Sequence, residues 1–212
     1  MIDEKSFFKL SYGLYLISSK ADGKAGGCIA NTLTQVTAVP EKLAVTLSKQ
    51  NFTTSLIQSS GYFTGTVLTE QTDRNTIASF GFRSGRDVDK FEGFSVREDE
   101  NGIPYLSDTM AAVYSCKVVN QLDLGSHIMF IGEVTEAKSL DDSPVMTYDY
   151  YHRVRKGTTP PNAPSYKKHV ETSGKRAFRC KICGYVVEAE TLPDDFTCPI
   201  CHQGRDAFEE IK

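Results

Sequence analysis

GGCIANTLTQVTAVPEKLAVTLSKQNFTTSLIQSSGYFTGTVLT, residues 26–69, decides the fold. Within it, KLAVTLS (42–48) and YFTGTVLT (62–69) are rich in β-branched and aromatic residues, as expected of strands with one face on a core. Between them, FTTSLIQSS predicts a short helix: Asn51 is a good N-cap, Leu56 and Ile57 share a face, and Gly61 supplies the stop. The pattern extends outward on both sides. YGLYLISS (12–19) precedes the stretch and leads into a hairpin turn in ADGKAGG (21–27), while AAVYSCKVVNQL (111–122) and HIMFIGEVTEA (127–137) follow it. A second helix is expected over RNTIASF, capped by Thr72 or Asp73 and stopped at Gly81. Many strands with few helices predict a mainly β protein built on a closed antiparallel barrel. No strand runs into a GxGxxG turn, so a Rossmann nucleotide site is excluded.

The chain has 212 residues, 40% of them apolar and 24% charged, enough to bury a sizeable core. A net charge of −3 gives no general basic field, which argues against nucleic acid as a partner. MIDEKSFFKL lacks the basic start and apolar run of a signal peptide, and no stretch has the length of a membrane span, so the expected location is cytoplasmic. Composition shifts at residues 153–181, where three prolines and nine Lys or Arg accompany one acid, and this basic collar reads as a solvated tether. Residues 182–212 reverse the sign, with seven Asp or Glu.

That acidic end contains C-x2-C-x14-C-x2-C. Cys180, Cys183, Cys198 and Cys201 form two knuckles, which in a reducing compartment favour a tetrahedral all-sulfur metal site over disulfides. Spacing alone leaves zinc and iron open. Cys28 and Cys116, each isolated in a strand, read as small buried hydrophobes.

Other residues suit an anionic aromatic cofactor. Asn31, Thr32, Leu33 and Thr34 offer amide and hydroxyl groups along one extended segment, and Ser48, Lys49, Asn51 and Thr54 surround a helix N-terminus, where free N–H groups favour an anion. Ser84, Gly85 and Arg86, with Lys90 nearby, add a flexible turn and a guanidinium fork for phosphate oxygens.

Two resemblances organise these readings. Residues 26–68, followed by FGFRSGRDVDKF and LGSHIMFIGEV, resemble the flavin reductase-like family of FMN-binding split barrels. The resemblance implies FMN at the twelve residues just named. It also places His127, in Gly125-Ser126-His127 where the family often has Gly-Asp-His, beside flavin and nicotinamide, with His152 at the cofactor mouth. FRCKICGYVVEA with LPDDFTCPIC resembles rubredoxin in the shortened form found on rubrerythrin-type proteins, which moves the four-cysteine site towards iron. Phe196 stands where that family has Trp and His202 where it has Gly; His202 reads as a surface residue because four cysteines already fill the shell.

Together the resemblances imply a flavin barrel at 1–158, a linker at 159–176 and a rubredoxin-like unit at 177–212, as in the high-molecular-weight rubredoxins. In that family pattern NAD(P)H reduces FMN, FMN reduces the iron, and the iron serves a flavodiiron protein that reduces nitric oxide or oxygen. Homodimers with FMN at the interface are also implied, and the acidic unit would meet its partner by complementary charge. The remaining alternatives are an FMN carrier reduced by another enzyme and a flavin reductase with a structural zinc tail.

Overall fold

The structure, a computed structural model, describes residues 2–155, 157, 176–181, 185–199 and 203–211. After a 3-10 turn at Glu4–Lys9 come β1 (Tyr15–Ala21), β2 (Lys24–Ala30), β3 (Thr34–Ala38), β4 (Glu41–Ser48) and α1 (Phe52–Ser60). Next are β5 (Tyr62–Leu68), α2 (Arg74–Phe82), the short strands β6 (Val96–Glu98) and β7 (Pro104–Leu106), β8 (Met110–Asp123), β9 (His127–Ser139) and α3 (Tyr148–Arg153). The C-terminal strands are β10 (Ala177–Cys180), β11 (Val186–Glu188) and β12 (Phe208–Ile211).

Seven strands form one antiparallel sheet in the order β2-β1-β5-β8-β9-β4-β3. Register shifts at Ser115/Cys116 and Val118/Asn120 bend β8 where it meets β9. The sheet curls: Ile17, Cys28 and Ala30 at one end share a core with Leu33, Leu43 and Val45 at the other, around Phe63 and Phe130. That core is tight, since a Cβ on Gly132 would lie 2.7 Å from the Phe63 ring.

The expectation of a closed barrel needs correction. β2 and β3 are the two ends of the sheet and do not pair. Residues 31–33 turn between them, with Leu33 going into the core, and the barrel stays split along this seam. Other expectations shift in detail. The first hairpin turns at Asp22 and Gly23 alone, both with positive φ, because β2 already begins at Lys24.

Both caps hold: Asn51 accepts from Thr53 N–H, Asp73 accepts from Thr76 N–H, and Gly61 closes α1 at φ 75°. Thr72 is not the cap; its hydroxyl donates to the Thr109 carbonyl. Gly81 does not stop α2, which continues to Phe82 because Ile77, Phe80 and Phe82 pack on a second core with Leu14, Leu16 and Met146.

The basic collar, read from composition as solvated, is structural at both described ends. Arg155 donates to the carbonyls of Glu70 and Thr72 at 2.9 and 3.1 Å, latching the chain onto the start of α2. Arg176 grips Glu210 with two nitrogens, at 2.6 and 3.1 Å, and Arg179 pairs with Glu209. With Arg205 on Asp194, these pairs neutralise part of the acidic surface expected to face a partner. Among the described residues, no helix is long and apolar enough to cross a membrane.

Candidate functional site

The N-terminus of α1 and the turn at 84–86 meet. Arg86 donates to the Gln50 carbonyl at 3.1 Å and its guanidinium lies over the Phe52 ring at 5.3 Å. A Cβ on Gly85 would stand 3.1 Å from the same ring, so the turn approaches α1 as closely as a glycine allows. Ser84 Oγ accepts from Arg86 N–H and braces the turn. Beneath α1, the Thr54 hydroxyl donates to the Ser48 carbonyl at 2.7 Å, and Ser48 Oγ accepts from Gln50 N–H. Lys49 pairs with Asp123 at 2.7 Å on the exposed rim.

The split seam joins this group from the other side. Thr32 donates to the Thr46 carbonyl at 2.7 Å, tying residues 31–34 to β4; Asn31 is buried at the end of β2, and Thr34 starts β3. His127 opens β9 directly opposite Ser48. Its Nδ1 shares a 2.8 Å hydrogen bond with Ser126 Oγ, and its buried Nε2 has no protein partner. Eleven of the twelve expected cofactor residues and His127 thus frame the seam and the helix N-terminus or, like Leu33 and Thr54, support them from within.

Lys90 differs from expectation. Its ammonium turns inward, donating to Gly27 and Phe80 carbonyls at 2.7 and 2.9 Å, and burial lowers its pKa from 10.5 to about 8. It therefore fastens β2 to α2 below the cradle, with its stem against Gly85. His152 also lies elsewhere. It packs between Tyr148 and Tyr151, shares a 2.9 Å hydrogen bond with the Gly157 carbonyl, and has its pKa lowered by burial. This elbow sits at the N-terminal end of α2, whereas the 84–86 turn follows its C-terminal end. Phe52, the floor under Arg86 and Gly85, was missed; its place immediately after the N-cap was the available signal.

In the C-terminal unit, Cys180 and Cys198 pack in one buried cluster with Tyr185 and Phe208. Their backbones close alike: Cys180 N–H donates to the Tyr185 carbonyl and Cys198 N–H to the Gln203 carbonyl, both at 2.8 Å and both across five residues. The two thiols share one buried cluster behind matched backbone closures, an arrangement compatible with a sulfur metal site. Cys183, Cys201 and His202 lie outside the described residues. Phe196, in the place of Trp, still meets Phe208 edge to face at 5.2 Å.

Residues 7–158 match the flavin reductase like domain, and residues 178–209 match the rubrerythrin, rubredoxin-like domain. The chain belongs to the flavin reductase-like family, in a form fused to a rubredoxin-like domain. Within this family it is 38% identical to a high molecular weight rubredoxin of Moorella thermoacetica, over 99% of this chain and 100% of the relative. It is 39% identical to a ferric-chelate reductase (NAD(P)H) of Archaeoglobus fulgidus, over 78% of this chain and 98% of that protein. Flavoredoxin from Methanosarcina acetivorans superposes with a TM-score of 0.57 at 25% identity, covering 61% of this chain and 69% of that one. The chain is accordingly an oxidoreductase of the flavin reductase-like family, with a flavin and an iron centre as its redox groups.

Its residues fit both groups. Hydroxyls, a guanidinium and a helix N-terminus suit a phosphate, the unpartnered His127 Nε2 offers a polar contact near the seam, and the paired cysteines supply soft sulfur.

Proposed function

We propose that this chain carries electrons from NAD(P)H through FMN to an iron held by Cys180, Cys183, Cys198 and Cys201. The supporting observation is that one chain contains both a helix-terminus cradle closed by Arg86 and a matched pair of cysteine knuckles. When bound, FMN accepts a hydride and releases electrons singly, so one NAD(P)H reduces two ferric centres to ferrous with release of one proton.

The protein supplies position and charge. Ser48, Ser84, Arg86 and the first turn of α1 hold the phosphate, with Phe52 fixing the guanidinium and Asn51 capping the helix. Asn31, Thr32 and Thr34 would border a bound ring along the seam, and the unpartnered His127 Nε2 would be available to it as a polar contact. Lys90 braces the cradle from below, Lys49 stays on the rim, and His152 holds the α3 elbow.

Two copies would associate across the exposed β3 edge, with Val39, 92% exposed, in the turn just beyond it. Beside that edge a cavity of about 340 Å³ lies among Tyr15, Leu33, Leu43, Tyr114 and Val134. The reduced iron would serve a flavodiiron protein in the cytoplasm. Rapid mixing of the iron- and FMN-loaded protein with NADH and NADPH tests the sequence of steps: flavin absorbance should bleach first, then the red ferric bands. Flavin bleaching beside a persistently ferric centre defeats the proposal, and sedimentation measures the dimer.

A further inference from the structure

Phe82 belongs to two hydrophobic clusters at once. From the end of α2 it packs on the barrel's second core, with Phe80, Ile77 and Leu16, and also on the cluster built by Cys180 and Cys198. Among the described residues, no other side chain is common to both.

Its place in the chain gives this contact meaning. Arg83 leaves the helix in an extended conformation and leads directly to Ser84, Gly85 and Arg86. Four residues reach at most about 14 Å even when fully extended, so the cysteine cluster lies close to the flavin cradle.

We propose that Phe82 is the positioning residue that seats the tetrathiolate unit on the barrel and so sets the gap an electron crosses. This deepens the proposed function and rests on it for the electron step alone. In each transfer one electron leaves the reduced flavin and reduces ferric iron to ferrous, and no covalent bond in the chain changes. Electron transfer weakens steeply with separation, so a residue that fixes the separation controls the rate without touching either reacting atom. An apolar contact this small is also reversible, as interfaces within a chain often are, leaving the reduced unit able to meet an acceptor.

The test uses the full chain loaded with FMN and with either iron or zinc. In the iron form, the rate of ferric bleaching is divided by the rate of flavin bleaching after mixing with NAD(P)H. In the zinc form, amide exchange is followed at 82–86, 179–181 and 198–199. For Phe82→Asp, a loss of docked population by about tenfold should lower the rate ratio and the exchange protection together. Phe82→Leu, which keeps an apolar side chain and guards against a folding defect, should restore most of both. An unchanged rate ratio or unchanged protection in Phe82→Asp overturns the assignment. Failure of the unsubstituted protein to reduce its iron would instead defeat the function proposed above, while the exchange data would still decide the seating.

Discussion

In the barrel, the largest fully buried side chains include Leu16, Ile17, Phe63, Phe80 and Phe130; among the described residues of the C-terminal unit, Ala177, Cys180 and Cys198 are the most enclosed. Burying a Phe or Leu contributes about 1.5–3 kcal/mol, and the barrel repeats this many times. Among its described residues the C-terminal unit has few such side chains, and it is held by three short strands, arginine–carboxylate pairs and buried cysteines. Exposed ion pairs add little, so metal coordination is expected to supply most of its stability. One region is therefore held by packing and the other by coordination, and they should fail separately.

The largest expected effect tests the second half of this contrast. Cys198→Ser, or removal of the metal by a chelator, should cost the C-terminal unit on the order of 10 kcal/mol and unfold it. The barrel's thermal transition should remain. Visible absorption and amide exchange at 177–180 measure this, and lasting protection without metal would break the contrast.

Phe63→Ala probes the opposite side. It should destabilise the barrel by about 3–5 kcal/mol, because Phe63 is fully buried against Gly132 and Cys116, while the red ferric bands persist below the barrel's melting temperature. Calorimetry with parallel absorbance checks both outcomes.

Lys90 sharpens the comparison through pH. Below about 8 the folded and unfolded chains both hold its proton, and the cost of burying the charge is fully present. As pH rises from about 8 towards 10.5 the native lysine releases its proton first, so barrel stability should rise. The gain is on the order of 3 kcal/mol from a shift of this size. Lys90→Met should abolish the pH-dependent part in denaturation measured across that range. A smaller effect, about 1 kcal/mol, is expected for Asp73→Ala, which removes the cap of α2 and should lower the barrel's urea midpoint without loss of iron.

Local signals were legible because they act over a few residues. Asn51 and Gly61 bracket α1 as their chemistry requires, and the long strands β8 and β9 begin and end within two residues of their β-rich segments. The two Cys-x-x-Cys pairs could be named for the same reason, and the backbones at Cys180 and Cys198 close alike within a few residues. Most of the residues proposed to hold the flavin could be named as residue types, but not as contacts. Ser84, Gly85 and Arg86 could be named from a turn pattern, whereas the Gln50 carbonyl that receives Arg86 is 36 residues away.

Lys90 illustrates the limit. A lysine near a phosphate-like turn reads as a ligand, yet two carbonyls from β2 and α2 hold it inside the barrel. Arg155 and Arg176 read as tether charges until the folded chain offers Glu70, Thr72 and Glu210 as partners. Sequence by itself determined strands, helix caps and the rubredoxin-like unit, because period, capping and cysteine spacing are local. Only the tertiary structure decided that the barrel opens between β2 and β3, that Lys90 faces inward and that Phe82 joins two cores. Those outcomes depend on which surfaces meet when distant segments pack, and no local pattern encodes that meeting.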